Sequence, residues 1–459
     1  MAPKFGTSGL RGLVTELTPA LVAAYVAAFV RACPMGTGLF AGQDLRASSP
    51  RIAADVIAAA RARGLAVTDC GAVPTPALAL AAMGAGAAAV MVTGSHIPAD
   101  RNGLKFYTPA GEITKAQEGA ILAALDAPAA VVAHGPLTPA DPGPAFLGRY
   151  VTAFGAQALA GRRIGVWSHS AVGRDLLIGT LQALGAEAVE IERSEIFIPV
   201  DTEAVPPGAR ALLARVAAEH GLDAIASTDG DGDRPLLADA AGRVISGDVL
   251  GQITARLMGA DVVVTPVSSN TGVEALGFDR VIRTRIGSPF VIAGMEGTLA
   301  ASPGTRVVGY EANGGFLLGF DAALAGPLPA LMTRDSHLPI IAPLVAAGDD
   351  GLAALVAAQP ARFTAADRLA EVPPQASATL VARLAADPAE FLSVLDEGPL
   401  VARDRTDGLR LTLASGRILH LRPSGNAPEL RLYTEAETAP AAQALLEAGL
   451  ALLQDAIPR

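Results

Sequence analysis

The chain has 459 residues, 51% of them hydrophobic and 17% charged, with a formal net charge of −10. At about 100–200 residues per domain, that length accommodates roughly three or four domains with ample core. The acidic balance without a basic run excludes a nucleic-acid surface, and two cysteines, Cys33 and Cys70, exclude a zinc cluster or a disulfide scaffold. Apolar runs such as Ala20–Val30 fall short of the ~20 residues a membrane span needs, and the opening MAPKFGTSGLRG has no apolar signal region. The expectation is a cytoplasmic enzyme with neither membrane nor nucleic-acid partners.

In chain order, Gly38–Gly42 reads as a strand, Ser49 and Pro50 as the N-cap and first residue of a helix running to about Arg63, and Leu65–Asp69 as the next strand. Ala87–Val92 is a buried strand feeding Thr93-Gly94-Ser95-His96, with Asn102–Lys105 following as a loop. Arg163–Trp167 and Gly173–Leu184 form a strand and its helix, and Asp223–Ala226 is a strand leading into Asp229-Gly-Asp-Gly-Asp233. Asp261–Val267 and Arg306–Tyr310 repeat the pattern of a strand ending in a glycine-rich loop. Strands alternating with helices imply βαβ units. The last block differs: Leu409–Leu413, Arg417–Leu421 and Glu429–Tyr433 read as a meander, followed by a helix from Pro440 to about Asp455. The fold expected is α/β, with three similar mixed-sheet domains (1–143, 144–243, 244–360) and a smaller α+β domain (361–459).

The strongest local signal is Asp229-Gly-Asp-Gly-Asp233-Arg234 at a strand end. Three carboxylates at alternate positions converge on a hard cation, and an all-oxygen set with few protein ligands suits Mg2+. An EF-hand is excluded, because Arg234 stands where its glycine belongs and Ala240 where its last glutamate belongs. Ser95 sits where open α/β sheets place ligands, although Ser-His adjacency alone also describes an ordinary turn. Of 35 basic residues only Lys4, Lys105 and Lys115 are lysines. Lys105, just beyond the hydroxyl, is therefore a candidate proton-transfer group, a part arginine cannot take. Arg422-Pro-Ser424-Gly-Asn426 has the guanidinium, hydroxyl, amide and glycine of a phosphate cradle, and reads equally as a hairpin turn. Gly6–Gly12, carrying Arg11, is a similar small-residue loop. In Gly309–Gly315, Glu311 and Asn313 suit vicinal sugar hydroxyls or a simple turn. A Walker A loop is absent, Gly36–Ala41 precedes a strand and so does not read as a dinucleotide fingerprint, and His134, His169, His220, His337 and His420 show no ligand spacing.

Five segments in order, FGTSGLRG (5–12), TGSHIPADRNGLKFY (93–107), DGDGDR (229–234), GYEANGGF (309–316) and RPSGNAPELR (422–431), resemble the α-D-phosphohexomutases, in particular the bacterial phosphomannomutase/phosphoglucomutase group. The resemblance covers essentially the whole chain. It implies four domains around a central cleft and interconversion of hexose 6-phosphate and hexose 1-phosphate through a hexose 1,6-bisphosphate. Ser95 is then the phosphoserine, whose phosphate completes an Mg2+ site with Asp229, Asp231 and Asp233. Arg11, His96, Lys105 and Arg234 surround the reacting phosphate, with His96 and Lys105 as proton-transfer groups. Glu311 and Asn313 hold the sugar, and Arg285, Arg422, Ser424, Asn426 and Arg431 hold the substrate's phosphate end. A monomer or weak homodimer is expected.

Two departures stand out. Gly94 and Ile97 replace the alanine and asparagine usual around the nucleophile, and Gly315 stands where many members carry a histidine. The ranked expectation is a mannose or glucose phosphate mutase. Behind it come a phosphoglucosamine mutase, disfavoured by Ala312 and Asn313, and a silent phosphosugar-binding protein.

Overall fold

The computed structural model describes residues 3–6, 9–125, 134–395, 397–424 and 428–456. It divides into two compact units: the chain up to Asp261 together with Gly287–Val356, and Val262–Ile286 together with the residues from Ala357 onward.

The first unit carries the mixed α/β sheets expected. In one, the order is Lys4–Phe5, Leu10–Leu13, Arg101–Thr108, Ala88–Val92, Leu39–Gln43, Val67–Ala72 and Leu137–Pro139, with Gly111–Glu112 pairing beside Arg101–Thr108. Ala88–Val92 is buried along its whole length, as a parallel strand covered on both faces requires. Its parallel neighbour Leu39–Gln43 leads into the helix Ser49–Arg61. Ser49 is that helix's first residue and not its N-cap, and its hydroxyl donates to Asp44 Oδ1 at 2.5 Å. Between the sheet and the helices Pro19–Ala32 and Ser49–Arg61 lies a core of Val22, Phe29, Ile52, Val56, Val90 and Phe106.

Asn102–Lys105 is not a loop. It belongs to Arg101–Thr108, which pairs antiparallel with both Leu10–Leu13 and Ala88–Val92. The strand's glycine and polar residues disguise it, because its burial comes from neighbouring elements and not from its own hydrophobicity.

A second sheet runs Glu187–Arg193, Arg163–His169, Ala224–Thr228, Pro235–Asp239, Val244–Ile245, parallel among the first three and antiparallel thereafter. Val307–Tyr310, Phe316–Leu318 and Leu331–Asp335 pair antiparallel in the same unit.

In the second unit, Val262–Pro266 and Arg280–Thr284 pair in parallel. The meander is there and gains two strands: Phe363–Ala370, Glu429–Ala436, Ile418–Pro423, Leu409–Leu413 and Leu400–Asp404 form an antiparallel sheet. Leucines of the helices Pro374–Ala386 and Ala439–Ala456 pack with those of the sheet. Among the described residues no single helix is long and apolar enough to cross a membrane, although the bent pair Leu338–Ala346 and Gly348–Ala357 passes that test by composition together.

Candidate active site

Three strand ends in the first unit bring the site together. Ala88–Val92 ends at Thr93, whose Oγ1 donates to Asp44 Oδ2 at 2.7 Å and accepts the Ser95 N–H at 2.7 Å. These bonds fold the chain back so that Ser95 takes φ +52°, a left-handed conformation that is unfavourable for any residue with a Cβ. Its Oγ is thereby presented to Asp229 Oδ2 at 2.6 Å, with His96 Nδ1 at 3.3 Å.

Ala224–Thr228 delivers the acidic loop. Asp229, Asp231 and Asp233 are all buried, and one oxygen from each lies within 4.8 Å of the others. Asp229 Oδ1 accepts the N–H groups of Asp233 and Arg234, both at 3.2 Å. Burial and its two neighbouring carboxylates push Asp229 well above the usual carboxylate range. Burial opposes ionisation of Asp231 too, but the Lys105 ammonium outweighs it and holds that carboxyl well below the ordinary value.

Lys105, placed by its strand, reaches Asp231 Oδ2 at 2.5 Å and Asp233 Oδ2 at 2.6 Å. It therefore lies against the metal-type carboxylates, and the strand register, not a loop, brings it there. Thr75 donates to the same Asp231 oxygen at 2.7 Å. The opposite oxygens, Oδ1 of Asp231 and of Asp233, are buried without a hydrogen-bond partner. Two orphaned carboxylate oxygens beside a third carboxylate are the donor set a hard divalent cation takes, so the residues fit Mg2+.

Around this centre lie Arg11, His96 and Arg234. Arg11 is pushed down to about 10, chiefly by burial, and stays charged at neutral pH. Arg234 and then burial hold the His96 imidazole down at about 3, so the ring is neutral. Asp201, which the sequence reading missed, stands 4.0 Å from both His96 Nε2 and Arg234 Nη1. The sugar-type loop follows Val307–Tyr310. There Glu311 is buried and lies 3.5 Å from Arg334, whose other nitrogen meets Asp233 Oδ2 at 2.7 Å. Asn313 Oδ1 accepts the Gly315 N–H at 3.0 Å, which shapes the turn.

A chain that converges a hydroxyl, an acidic cation cradle and several guanidinium groups is built to handle phosphate. The comparisons with known proteins agree. Residues 2–130, 148–242 and 366–451 match the models for phosphoglucomutase/phosphomannomutase alpha/beta/alpha domain I, alpha/beta/alpha domain II and C-terminal domain. A phosphomannomutase of Sinorhizobium fredii is 46% identical over the full length of both chains. The chain belongs to the phosphoglucomutase/phosphomannomutase family. A phosphomannomutase of Salmonella muenchen is 41% identical, covering 99% of this chain and 96% of that one. In fold, the chain is similar to a phosphoglucomutase/phosphomannomutase family protein of Burkholderia thailandensis, with a TM-score of 0.78, 21% identity and coverage of 98% and 97%.

Two of the departures from the family pattern, Gly94 and Gly315, have local causes. A Cβ at Gly94 would lie 2.6 Å from Arg46 Cζ, and one at Gly315 would lie 2.9 Å from Arg334 Cδ. Each glycine makes room for a buried arginine. Arg46 and Arg334 escaped notice in the sequence because neither sits in a glycine-rich loop. The one available signal was the abundance of arginine, which is spread along the whole chain.

The remaining family residues lie in the second unit. Arg422 Nε is 3.0 Å from Asp407 Oδ2, which also accepts the Ile286 N–H at 3.0 Å, next to the exposed Arg285. Arg431 is the register partner of Arg422, and its Nη2 reaches Glu429 at 3.4 Å. The Ser424 N–H donates to Glu429 O at 2.9 Å, and Asn426 lies outside the described residues. Of the scattered histidines, His134 and His220 are exposed, whereas His169, His337 and His420 are buried.

Proposed function

We propose that this phosphohexomutase interconverts mannose 6-phosphate and mannose 1-phosphate, with glucose phosphates as secondary substrates, through a phosphorylated Ser95. The observation that carries the reading is the Ser95 hydroxyl set 2.6 Å from Asp229, inside a carboxylate triad with two unpartnered oxygens. The names of the two relatives at 46% and 41% identity favour mannose over glucosamine.

In the first half-reaction the P–Oγ bond of phosphoserine breaks, a bond forms from phosphorus to the free sugar hydroxyl, and that hydroxyl's proton leaves to a neighbouring base. The resulting hexose 1,6-bisphosphate turns end for end, and Ser95 Oγ takes back the other phosphoryl group. Asp229, Asp231 and Asp233, with the phosphate on Ser95, would hold Mg2+, which when bound neutralises charge on the transferring group. Arg11 and Arg234 supply fixed positive charge there, and Glu311 and Asn313 bind sugar hydroxyls. The proton released by the sugar hydroxyl ends on Ser95 Oγ, and neutral His96, whose Nδ1 lies within 3.3 Å, is assigned to hydrogen-bonding that oxygen. Lys105 is assigned to orienting Asp231 and Asp233. Holding of the substrate's other phosphate is assigned to Arg422, Ser424, Asn426, Arg431 and Arg285. The matched segments support the division into 1–143, 144–243, 244–360 and 361–459 at three of its four parts. The two free cysteines support a cytoplasmic setting.

Intact-mass measurement tests the core of this reading. Wild type incubated with a hexose 1,6-bisphosphate is expected to gain one phosphate, and Ser95→Ala none, with turnover lost. A wild type that never carries phosphate, or a Ser95→Ala protein with full turnover, overturns it. For the sugar, kcat/KM is expected to be highest for mannose 1-phosphate among the mannose, glucose and glucosamine 1-phosphates.

A further inference from the structure

Arg46 touches no side chain assigned to the chemistry, yet among the described residues it is the largest of the fully buried side chains. Its guanidinium is spent on one loop. Nη2 donates to Ser95 O at 2.8 Å and Ile97 O at 2.6 Å, and Nη1 donates to Pro98 O at 2.7 Å and Arg101 O at 3.0 Å. Nε faces Asp44 Oδ2 at 3.2 Å, the oxygen that also accepts from Thr93. One ion pair therefore grips both ends of the turn that forces Ser95 to positive φ.

The guanidinium is also covered from one side. The Phe197 ring centroid lies 4.0 Å from Arg46 Cζ, a cation–π contact on a desolvated arginine. Phe197 lies between the exposed Ile196 and Ile198 and is itself half-buried. Its segment is anchored independently by the Ile198 N–H donating to Ser170 Oγ at 2.7 Å. Beyond the ring lies the acidic loop: a Cβ at Gly230 would come within 2.9 Å of both Phe197 Cε2 and Ser95 O. The order is thus Gly94, guanidinium, ring, Gly230, with a glycine at each end of the stack because no side chain fits.

We propose that Arg46 and Phe197 are a positioning pair for the nucleophile: the ring, packed between the guanidinium and Gly230, keeps Arg46 seated under residues 95–101 and so holds Ser95 Oγ at Asp229. The proposal rests on the reading of Ser95 as the phosphorylated residue, and it adds two residues that touch neither substrate nor metal. A merely structural phenylalanine would, when replaced, lower the melting temperature and change every kinetic constant together. A positioning residue separates them.

The test compares Phe197→Leu, which keeps apolar bulk and removes the π face, with Phe197→Tyr, which restores the face. Four quantities are read: kcat and KM for mannose 1-phosphate, the rate of Ser95 phosphorylation by a hexose 1,6-bisphosphate, the Mg2+ concentration giving half-maximal thermal stabilisation, and amide hydrogen exchange in peptides covering 93–101. Phe197→Leu is expected to lower kcat and the phosphorylation rate together by at least tenfold and to speed exchange in 93–101 by a similar factor. KM and the Mg2+ midpoint are expected to stay within twofold. Phe197→Tyr is expected to recover wild-type values within threefold. Wild-type exchange in 93–101 for Phe197→Leu, or losses that Tyr does not rescue, overturn the pair. A wild type that gains no phosphate overturns the phosphoserine reading instead, and the exchange data still decide the pair.

Discussion

Lys105 shows how a single residue's position decides its chemistry. The scarcity of lysine singles it out in the sequence, and proton transfer is the use that scarcity suggests. Its ammonium is instead engaged by two buried carboxylates at 2.5 and 2.6 Å. Removing one partner of a buried ion pair costs about 3–5 kcal/mol, because the remaining charge is left uncompensated. Lys105→Met is therefore expected to melt several degrees lower than wild type in chelator, and Mg2+ is expected to raise its melting temperature by more than it raises that of wild type. Equal melting temperatures in chelator and equal Mg2+ shifts would sink the orienting role. At this scale much of the candidate site was legible: Ser95, the three aspartates, Arg234 and Glu311 sit in glycine-rich loops at strand ends, where the pattern exposes them. Arg46, Asp201, Phe197 and Arg334 were not legible, because each acts through contacts distant in sequence.

Among elements, the strand Arg101–Thr108 carries the most consequence. It sets Lys105 against the acidic loop, and its pairing with Leu10–Leu13 brings in Arg11. That pairing depends on Gly103, where a Cβ would lie 2.0 Å from Leu10 O and 2.6 Å from Arg11 Nη1. The first obstacle is backbone and cannot swing away. Gly103→Ala is expected to destabilise by about 1–3 kcal/mol and to remove most activity by shifting Arg11 and Lys105. The control is Gly297→Ala on the helix Ser288–Ala301, where a Cβ meets nothing within 4 Å. There alanine is expected to stabilise by up to about 1 kcal/mol and leave turnover unchanged, since glycine is the weaker helix former. Denaturation midpoints of the two variants should move in opposite directions, and a Gly103→Ala protein as stable and active as wild type would refute the register argument. In sequence, 102–105 reads as a loop for the reason that makes the strand work. A polar run with a glycine carries no period-two signal, and the tight approach that demands the glycine is a property of the neighbouring strand.

For the molecule as a whole, the division into two units bears on how stability responds to acid, because the histidines packed closest to the acidic loop all belong to the first. His337 packs 4.9 Å from Phe146 and 5.6 Å from Tyr150, and the adjoining Ser336 donates to Gly232 O at 2.7 Å. His169 Nε2 lies 2.9 Å from Thr228 O, one residue before Asp229. Burial depresses His337 to about 3 and His169 to about 4, both below the ordinary 6.5. A histidine whose folded pKa lies below its unfolded value takes up its proton on unfolding. Its contribution is complete above about pH 6.5 and is lost as pH falls toward the folded pKa. Each such group costs up to about 1.4 kcal/mol per pH unit in that window, so the two together remove about 3 kcal/mol between pH 6.5 and 5. Trp167 is the chain's one tryptophan and packs edge-on against His169, with centroids 5.1 Å apart, so its fluorescence follows unfolding of the first unit. His337→Phe keeps an aromatic ring in the pocket and removes one titrating group; Nε2 has no partner to lose, and Nδ1 gives up a long 3.4 Å contact with Ser336 Oγ. The variant is expected to match or exceed wild-type stability at pH 7.5 and to lose stability less steeply on acidification, by one proton's worth of slope, when urea midpoints are read through Trp167 between pH 6.5 and 4.5. Parallel slopes for the two proteins would mean that His337 is already protonated in the folded state, and that the packing against Phe146 and Tyr150 does not exclude the charge.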